Sequence, residues 1–420
     1  MRTRSIYRGI VLINTGLLLA GFATADELDD RLQQLEQRLT LAEQRAASAE
    51  QAATQQHDSD ISLHVGGRIE LDAATYRADN NDFGDGTRVR RLFLDVRGSA
   101  YTHWAYRFQY DFARPSGSDT SARGVRDAWI QYRGLPAVIT AGNFRQPFGL
   151  EALTSGLNTT FIERGLTNVF APDRHLGIAV SYDSPRWSGA FGVFGETAEG
   201  DVENEGDEGW DIATRITYSP INTASRLFHL GLSARYNSPE DSQTGLRFRE
   251  RPESNITDVR LIDTGALTGV QHIGFTGFEA AGIWGPLSIQ TEWIQADIKR
   301  HNSEKDVSFS AAYLYTSVLL SGESRRYKNG VFGRIKPSQP INAGGNGAWE
   351  LGLRYSTADL SDGTVTGGEQ NNLTLGLNWY ATDTVRISAN YITVLNVDRP
   401  GSTYHDEKLR NLLLRAQVDF

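Results

Sequence analysis

The 420-residue chain contains no cysteine and a single methionine. Without cysteine it can form neither a disulfide framework nor a thiolate metal site. After the N-terminal residues no segment is long and apolar enough for a transmembrane helix, and 39% hydrophobic residues is a low content for a helical membrane protein. If this chain crosses a membrane, it must therefore do so as a closed β-barrel, which pairs every backbone group.

Positive charge is also scarce. The net charge is −9, and it becomes −12 when residues 1–25, which contain three arginines and no acid, are removed. This balance argues against nucleic acid as a partner, because affinity for nucleic acid comes largely from neutralising phosphates. The eight histidines are scattered, and neither a GxSxG nor an HExxH motif occurs. We therefore predict no enzymatic activity, no catalytic residue and no resident metal or other cofactor.

The N-terminus has the pattern of a secretory signal peptide over residues 1–25. Arg2, Arg4 and Arg8 precede the apolar run IVLINTGLLLAGF, and the segment ends in ATA. Residues 26–57 then carry apolar side chains at alternating spacings of four and three, namely Leu28, Leu32, Leu35, Leu39, Ala42, Ala46, Ala49 and Ala53. This heptad pattern predicts a short, self-associating coiled-coil helix, with a lone amphipathic helix or a solvated spacer as the alternative.

Residues 58–420 show a period of two instead. In ISLHVGGRIELDAATY, which begins at Ile61, apolar and polar residues alternate, and the same alternation returns in several later segments. A soluble sandwich would alternate in the same way, but three features favour a membrane barrel. The segments are about nine to twelve residues long. Aromatic residues such as Trp104 and Trp379 lie at strand ends, and the final strand, NLLLRAQVDF, ends on Phe420.

The fold class predicted for residues 58–420 is all-β, a transmembrane antiparallel barrel. About 22 residues for each strand and its connection give about 16 strands, enough to enclose an aqueous channel. The faces opposite the apolar ones would line this channel, and they carry arginines on many strands: Arg68, Arg91, Arg97, Arg107, Arg215, Arg235, Arg354, Arg386 and Arg415. Guanidinium groups stay charged and bind oxyanions bidentately, so this set predicts a path for anions. Acidic residues on the same faces leave local neutralisation as the alternative.

Residues 142–180, GNFRQPFGLEALTSGLNTTFIERGLTNVFAPDRHLGIAV, resemble the strand and third loop of the phosphate-selective porin O/P family. Residues 317–341 and 347–362 resemble two further blocks of the family in the same order. The resemblance implies a homotrimeric porin of the bacterial outer membrane, in contact with its lipid and lipopolysaccharide, with the N-terminal helix in the periplasm. It also implies a third loop, at about 145–175, that folds into the lumen and constricts it. Small anions, phosphate or pyrophosphate foremost, would then diffuse through passively.

The resemblance also implies site residues. Arg145 stands where the family motif carries a basic residue at the constriction, and RVRR at 88–91 resembles the wall segment whose adjacent arginines face the third loop. Arg90, Arg91 and Arg97 complete the predicted site. A regular strand would point only one of Arg90 and Arg91 inward, so a β-bulge is required for both. A further basic cluster, predicted at a strand end or in an extracellular loop, could attract anions to the mouth: Arg325, Arg326, Lys328, Arg334 and Lys336.

One segment does not fit a simple phosphate channel. Residues 196–208 form a strongly acidic loop that would repel phosphate, unless divalent cations neutralise it. Two alternatives to the phosphate channel therefore stay open. One is a general, weakly selective porin for small hydrophilic solutes. The other is a barrel with a structural or tethering role that depends on the coiled coil.

Overall fold

The structure of the protein is a computed structural model. It describes Gln33 and residues 36–44, 61–113, 124–198, 208–239, 245–301 and 304–420. Met1–Ser59 and Asp60–Phe420 form separate compact units. Residues 36–44 are helical, within the predicted coiled coil, but the signal peptide, the rest of that helix and most of the acidic loop lie outside the described residues. Within the described part of the chain, no helix is long and apolar enough to cross a membrane.

Sixteen strands close into an antiparallel barrel in chain order, which confirms the predicted fold class and strand number. Two short hairpins, β10–β11 and β15–β16, lie outside the barrel sheet. The strands are β1 (Ile61–Ala78), β2 (Gly86–Ala100), β3 (Trp104–Asp111), β4 (Val125–Tyr132), β5 (Val138–Arg145), β6 (Arg174–Asp183), β7 (Trp187–Phe194), β8 (Trp210–Asn222), β9 (Arg226–Ser238), β10 (Arg249–Glu250), β11 (Ile262–Asp263), β12 (Val270–Trp284), β13 (Leu287–Arg300), β14 (Val307–Leu319), β15 (Tyr327–Lys328), β16 (Val331–Phe332), β17 (Ala348–Asp362), β18 (Val365–Tyr380), β19 (Val385–Asp398) and β20 (Leu409–Asp419). Pairing of β1 with β20 closes the barrel.

The two faces of each strand differ as the alternation predicts. In β20, Leu412 and Leu414 are 39% and 44% exposed on the outer face, while Leu413 is fully buried on the inner face. The neighbouring inward residues Asn411 and Arg415 are buried as well. Large apolar side chains therefore cover the outside of the barrel, where they can meet lipid, and polar side chains collect inside.

The lengths of the connections orient the barrel. The end that holds Ile61 and Phe420 has short turns, with residues 320–347 as the exception. The opposite end carries long connections, including residues 112–124, 146–173 and 239–269. Outer-membrane barrels have short periplasmic turns and long extracellular loops, so the end with Phe420 is the periplasmic one.

Residues 146–173, the third loop, lie inside the barrel. Phe148, Leu166 and Phe170 pack against the inward-facing Phe275 of β12 and Phe309 of β14 in one buried cluster. The loop contains a short α-helix, Leu150–Leu153, and a 3-10 helix, Leu166–Phe170. Burial of these apolar side chains holds this part of the loop against the wall formed by β12 and β14.

Local contacts explain how the loop turns inward. Gly149 has a φ of 75°, a left-handed conformation that suits glycine. The next two backbone N–H groups, of Leu150 and Glu151, each donate to the Glu292 carboxylate of β13 at 3.1 Å. A carboxylate at the first turn of a helix satisfies N–H groups that have no intrahelical partner. Glu292 therefore anchors the start of the loop to the wall.

The periplasmic connection 320–347 also enters the barrel. Arg325 is buried, forms an ion pair with Glu350 of β17, and donates from Nη1 to the Asn158 carbonyl oxygen at 2.7 Å. In return Asn158 Nδ2 donates to the carbonyl oxygen of Phe332 at 3.2 Å. The third loop and this connection are therefore joined inside the lumen.

Two positions were predicted for Arg325, Arg326, Lys328, Arg334 and Lys336, a strand end or an extracellular loop, and the extracellular loop does not agree with the structure. Strand β14 runs toward the end that holds Phe420, and β17 returns from it, so all five residues lie on the periplasmic side. The length of the segment is typical of an extracellular loop, which is why the sequence was misleading. Its length serves instead to reach into the lumen.

We expect replacement of Arg325 by methionine to detach the connection 320–347 and destabilise the barrel. Glu350 would lose its cation while still buried, which typically costs about 3–5 kcal/mol. Urea unfolding in lipid or detergent, followed by tryptophan fluorescence, measures this change. The matched control is Arg326→Met, because Arg326 is the exposed neighbour. Equal midpoints for both variants would contradict the bracing role of Arg325.

Candidate functional site

A β-bulge in β2 turns two consecutive arginines into the lumen. Glu70 of β1 pairs with Arg91, whereas Leu71 pairs with Val89, so Arg90 is the extra residue in the register. Arg91 Nη1 contacts Glu70 Oε2 at 2.5 Å, and Arg90 Nε donates to Glu163 Oε1 of the third loop at 2.9 Å. The bulge that two inward arginines require is therefore present.

Arg145 and Arg164 form a cationic pair at the third loop. Arg145 Nη1 donates to the Ala152 carbonyl oxygen at 2.6 Å, and Arg164 Nη2 donates to the same oxygen at 3.3 Å. Arg164 also donates to the carbonyl oxygens of Glu151 and Thr154. A carbonyl oxygen satisfies N–H groups but carries no net charge, so it holds two guanidinium groups together without neutralising them.

Glu151, Glu163 and Asp173 lie near this pair, but their carboxylates form no short ion pair with it. Asp173 Oδ1 lies 3.8 Å from Arg145 Nη2, at the limit of an ion pair, and its other contacts include Arg126 and Arg174. Among the residues that the structure describes, no carboxylate forms an ion pair with Arg164. The Arg145–Arg164 pair is thus not neutralised by a short ion pair, and it lies in a partly desolvated site, where charge acts over a longer range than in water.

Gly156, at the tip of the third loop, lies against the opposite wall. A Cβ atom built on Gly156 would be 3.1 Å from Arg68 Nη2 and 3.6 Å from Arg91 Nη1. The absence of a side chain therefore lets the loop backbone approach these two guanidinium groups closely. It also leaves their remaining N–H groups accessible from the space between loop and wall.

That space is a cavity of about 390 Å³, called here the inner cavity. Nine arginines line it: Arg68, Arg91, Arg97, Arg107, Arg126, Arg145, Arg164, Arg174 and Arg334. Five carboxylates form their ion pairs: Glu70, Asp95, Asp127, Asp173 and Asp419. Among the described residues, the arginines of this cavity outnumber the side-chain carboxylates that pair with them. A concentration of guanidinium groups with free N–H capacity can bind oxyanions and repel cations.

An outer cavity of about 320 Å³ lies on the extracellular side of the third loop. Its arginines are Arg90 and Arg164, together with Arg249, Arg251 and Arg260 of the connection between β9 and β12. Burial alone would raise the pKa of Glu163 in this cavity, but Arg90 and Arg415 hold it well below its usual range. Glu163 is therefore ionised and balances part of the local positive charge. Arg164 lines both cavities, so it lies at the boundary between them.

The other predicted lumen arginines face inward but are engaged by fixed partners. Arg97 and Arg107 line the inner cavity, and the side chain of Arg97 is 68% exposed there. The remaining ones are held by Glu279, Asp211, Glu253, Asn378 and Asp72, which bind Arg215, Arg235, Arg354, Arg386 and Arg415 respectively. The lumen arginines therefore do not form a continuous column of available guanidinium groups. The available ones are confined to the two cavities.

Several arginines of the two cavities were not predicted. Arg126 enters the lumen through a second register irregularity, where Phe108 pairs with Ala128 but Tyr110 pairs with Val125. Arg164 and Arg174 come from the third loop and the start of β6. Arg249 and Arg251 belong to RFRER at 247–251, whose alternate arginines were the available signal. The described residues contain no group of three or more histidines and acids that could hold a metal ion.

Comparisons with known proteins agree with this geometry. Residues 63–420 match the family model described as phosphate-selective porin O and P. Porin O of Pseudomonas aeruginosa is 27% identical over 400 residues, which cover 86% of this chain and 89% of that protein. The anion-selective porin from Comamonas acidovorans superposes with a TM-score of 0.55 at 13% identity, over 86% of this chain and all of that one. OmpT of Vibrio cholerae in its trimer form gives a TM-score of 0.50 at 12% identity, with the same coverage.

We expect Gly156→Asp to weaken anion binding in the inner cavity. A carboxylate would then lie next to Arg68 and Arg91, and a unit charge at 4 Å contributes about 1–4 kcal/mol between aqueous and protein-surface dielectric constants. Gly156→Asn is the matched control, because it adds the same volume without charge. Conductance in chloride and block by phosphate, measured in planar bilayers, report the difference. Equal conductance and equal block by phosphate in the two variants would exclude an electrostatic effect at position 156.

Proposed function

Because the chain belongs to the family of phosphate-selective porins O and P, we propose that it carries phosphate or pyrophosphate passively across the bacterial outer membrane. Family and fold make it an outer-membrane anion porin rather than an enzyme. The finer statement, a preference for phosphate-like anions, rests on the chemistry of the two cavities. No bond is made or broken in this process, and the concentration gradient drives it.

The Arg145–Arg164 pair carries the proposal. Both guanidinium groups share one neutral carbonyl oxygen, and Arg164 lines the outer and the inner cavity. An anion that leaves Arg249, Arg251 and Arg260 would meet Arg164 next, and then the inner cavity. Transfer between several sites of moderate strength allows an ion to enter and also to leave.

The third loop, in this proposal, forms the narrowest part of the path. Two observations support this: the approach of Gly156 to Arg68 and Arg91, and the burial of Phe148, Leu166 and Phe170 against the wall. A bare oxyanion can accept hydrogen bonds from guanidinium groups on both sides of such a gap. A cation would lose hydration there without gaining a partner.

We further propose a homotrimer with its N-terminal helix in the periplasm. Strands β3, β4, β5 and β7 have only eight residues each, whereas β12–β14 have 13 to 15, so the wall is low on one side. Exposed apolar residues such as Phe108, Ile130 and Phe191 cover this low wall. The Vibrio cholerae OmpT in trimer form and the heptad pattern of residues 26–57 also support it. The rest of the outer surface would contact lipid and lipopolysaccharide.

A general, weakly selective porin is the second candidate. It is favoured by the ion pairs that occupy Arg215, Arg235, Arg354 and Arg415, since these cancel much of the positive charge of the lumen. The two candidates differ in selectivity. More arginines than paired carboxylates among the described residues of the inner cavity predict a preference for anions, whereas full neutralisation predicts little preference.

We expect a reversal potential of anion-selective sign in a potassium chloride gradient, and saturable block of the chloride current by phosphate. Arg145→Ala and Arg164→Ala should each weaken the block by about 10- to 100-fold, because a hydrogen bond to a charged group contributes about 1.5–3 kcal/mol. Arg226→Ala is the control, since Arg226 is exposed at the periplasmic end of β9. A reversal potential near zero would reject the anion channel in favour of the general porin.

A further inference from the structure

A third cavity, of about 280 Å³, lies between β5–β8 and the periplasmic connection 320–347. It shares Phe144, Arg145 and Leu153 with the inner cavity, so these three residues separate the two spaces. We call it the side cavity. Its volume equals that of about nine water molecules at about 30 Å³ each, which is larger than a phosphate ion requires.

The lining of the side cavity is unusual for a channel interior, which is normally polar. Phe144, Pro147, Leu153 and Val331 form one part of the lining, and the small inward residues Ala179 and Ala190 form the opposite part. Two hydroxyl groups in the lining, those of Thr140 and Ser188, have partners in the protein. Ser188 Oγ, for example, contacts Thr217 Oγ1 at 2.6 Å. Water in this space therefore finds few hydrogen-bond partners on its apolar sides, and an apolar group could displace it favourably.

The charges around the side cavity leave Arg145 as its available cation. Arg215 lines it, but its Nε and Nη2 atoms contact Glu279, and Nη2 also donates to the Gly330 carbonyl oxygen at 2.7 Å. Asp183 is the carboxylate in the lining, and Lys328 and Arg215 lie close enough to oppose its charge. An anionic group is therefore attracted to the Arg145 side, next to the Arg145–Arg164 pair, and an apolar group to the remainder.

We propose that the side cavity is a binding site for organic anions, in which a phosphate, phosphonate or carboxylate group contacts Arg145 and an attached ring or short hydrocarbon occupies the space lined by Ala179, Ala190 and Val331. This site rests on the proposed anion channel, since the charged group reaches it through the same arginines. It extends the range of solutes beyond inorganic phosphate, which cannot fill the apolar part. Uncharged apolar solutes lack the charged group that would contact Arg145, so the arginines along the route do not attract them.

The test compares phenyl phosphate with inorganic phosphate as blockers of the chloride current through single channels of the full-length protein. We expect phenyl phosphate to bind at least about tenfold more tightly, which corresponds to about 1.4 kcal/mol and is within reach of burying one ring. Ala190→Leu should fill the cavity and remove this advantage while block by inorganic phosphate is unchanged. Val331→Thr, which keeps the volume but adds a hydroxyl group, should reduce the advantage severalfold. Ala234→Leu is the control, because Ala234 lies exposed on the outer face of β9.

The possible failures are distinguishable. Equal block by the two compounds in the unaltered channel would overturn the side-cavity site and leave the anion channel intact. Absence of block by either compound would overturn the proposed function itself. If Ala190→Leu weakens block by both compounds equally, the cavity is part of the common path and is not a separate site, and the inference is wrong.

Discussion

The structure depends on one constraint, that each backbone N–H and C=O group in hydrocarbon must have a hydrogen-bond partner within the protein. Pairing of β1 with β20, from Arg68 opposite Asp419 to Ala78 opposite Leu409, removes the last free edge of the sheet. Once the sheet is closed, the alternation of side chains along each strand determines which residues face lipid and which face the lumen. Apolar side chains point to lipid, and all charges that the strands carry must be accommodated inside.

The arginines inside the barrel fall into two groups, which differ in the acceptors that they contact. Those of β8, β9, β17 and β20 meet carboxylates of other segments, as Arg415 meets Asp72 across the closure between β1 and β20. Those around the third loop meet carbonyl oxygens or share a carboxylate, as Arg68 and Arg91 share Glu70. Neutral or shared acceptors hold the guanidinium groups in place without fully neutralising their positive charge. Among the described residues, positive charge thus accumulates around the third loop.

The sequence predicted the parts of the molecule that repeat. Alternation of period two identified the inner and outer faces, and the need for a bulge at Arg90 and Arg91 followed from that same period. The sequence could not identify Arg164, because a loop residue has no periodic signal and its position depends on tertiary packing. It also misplaced Arg325, whose burial against Glu350 depends on strands β14 and β17 running in opposite directions. The sequence also could not predict which arginines are neutralised, because ion pairs join residues as distant in the chain as Asp72 and Arg415.

The link between the third loop and residues 320–347 has a consequence for engineering. Arg325 and Asn158 join two segments that are more than 150 residues apart in the chain, one entering from each end of the barrel. Grafting the third loop alone onto another porin scaffold would therefore transfer the arginines without the support that fixes their spacing. A working transplant needs both segments together with Glu350, so the transferable module is assembled in space and is not a contiguous stretch of sequence.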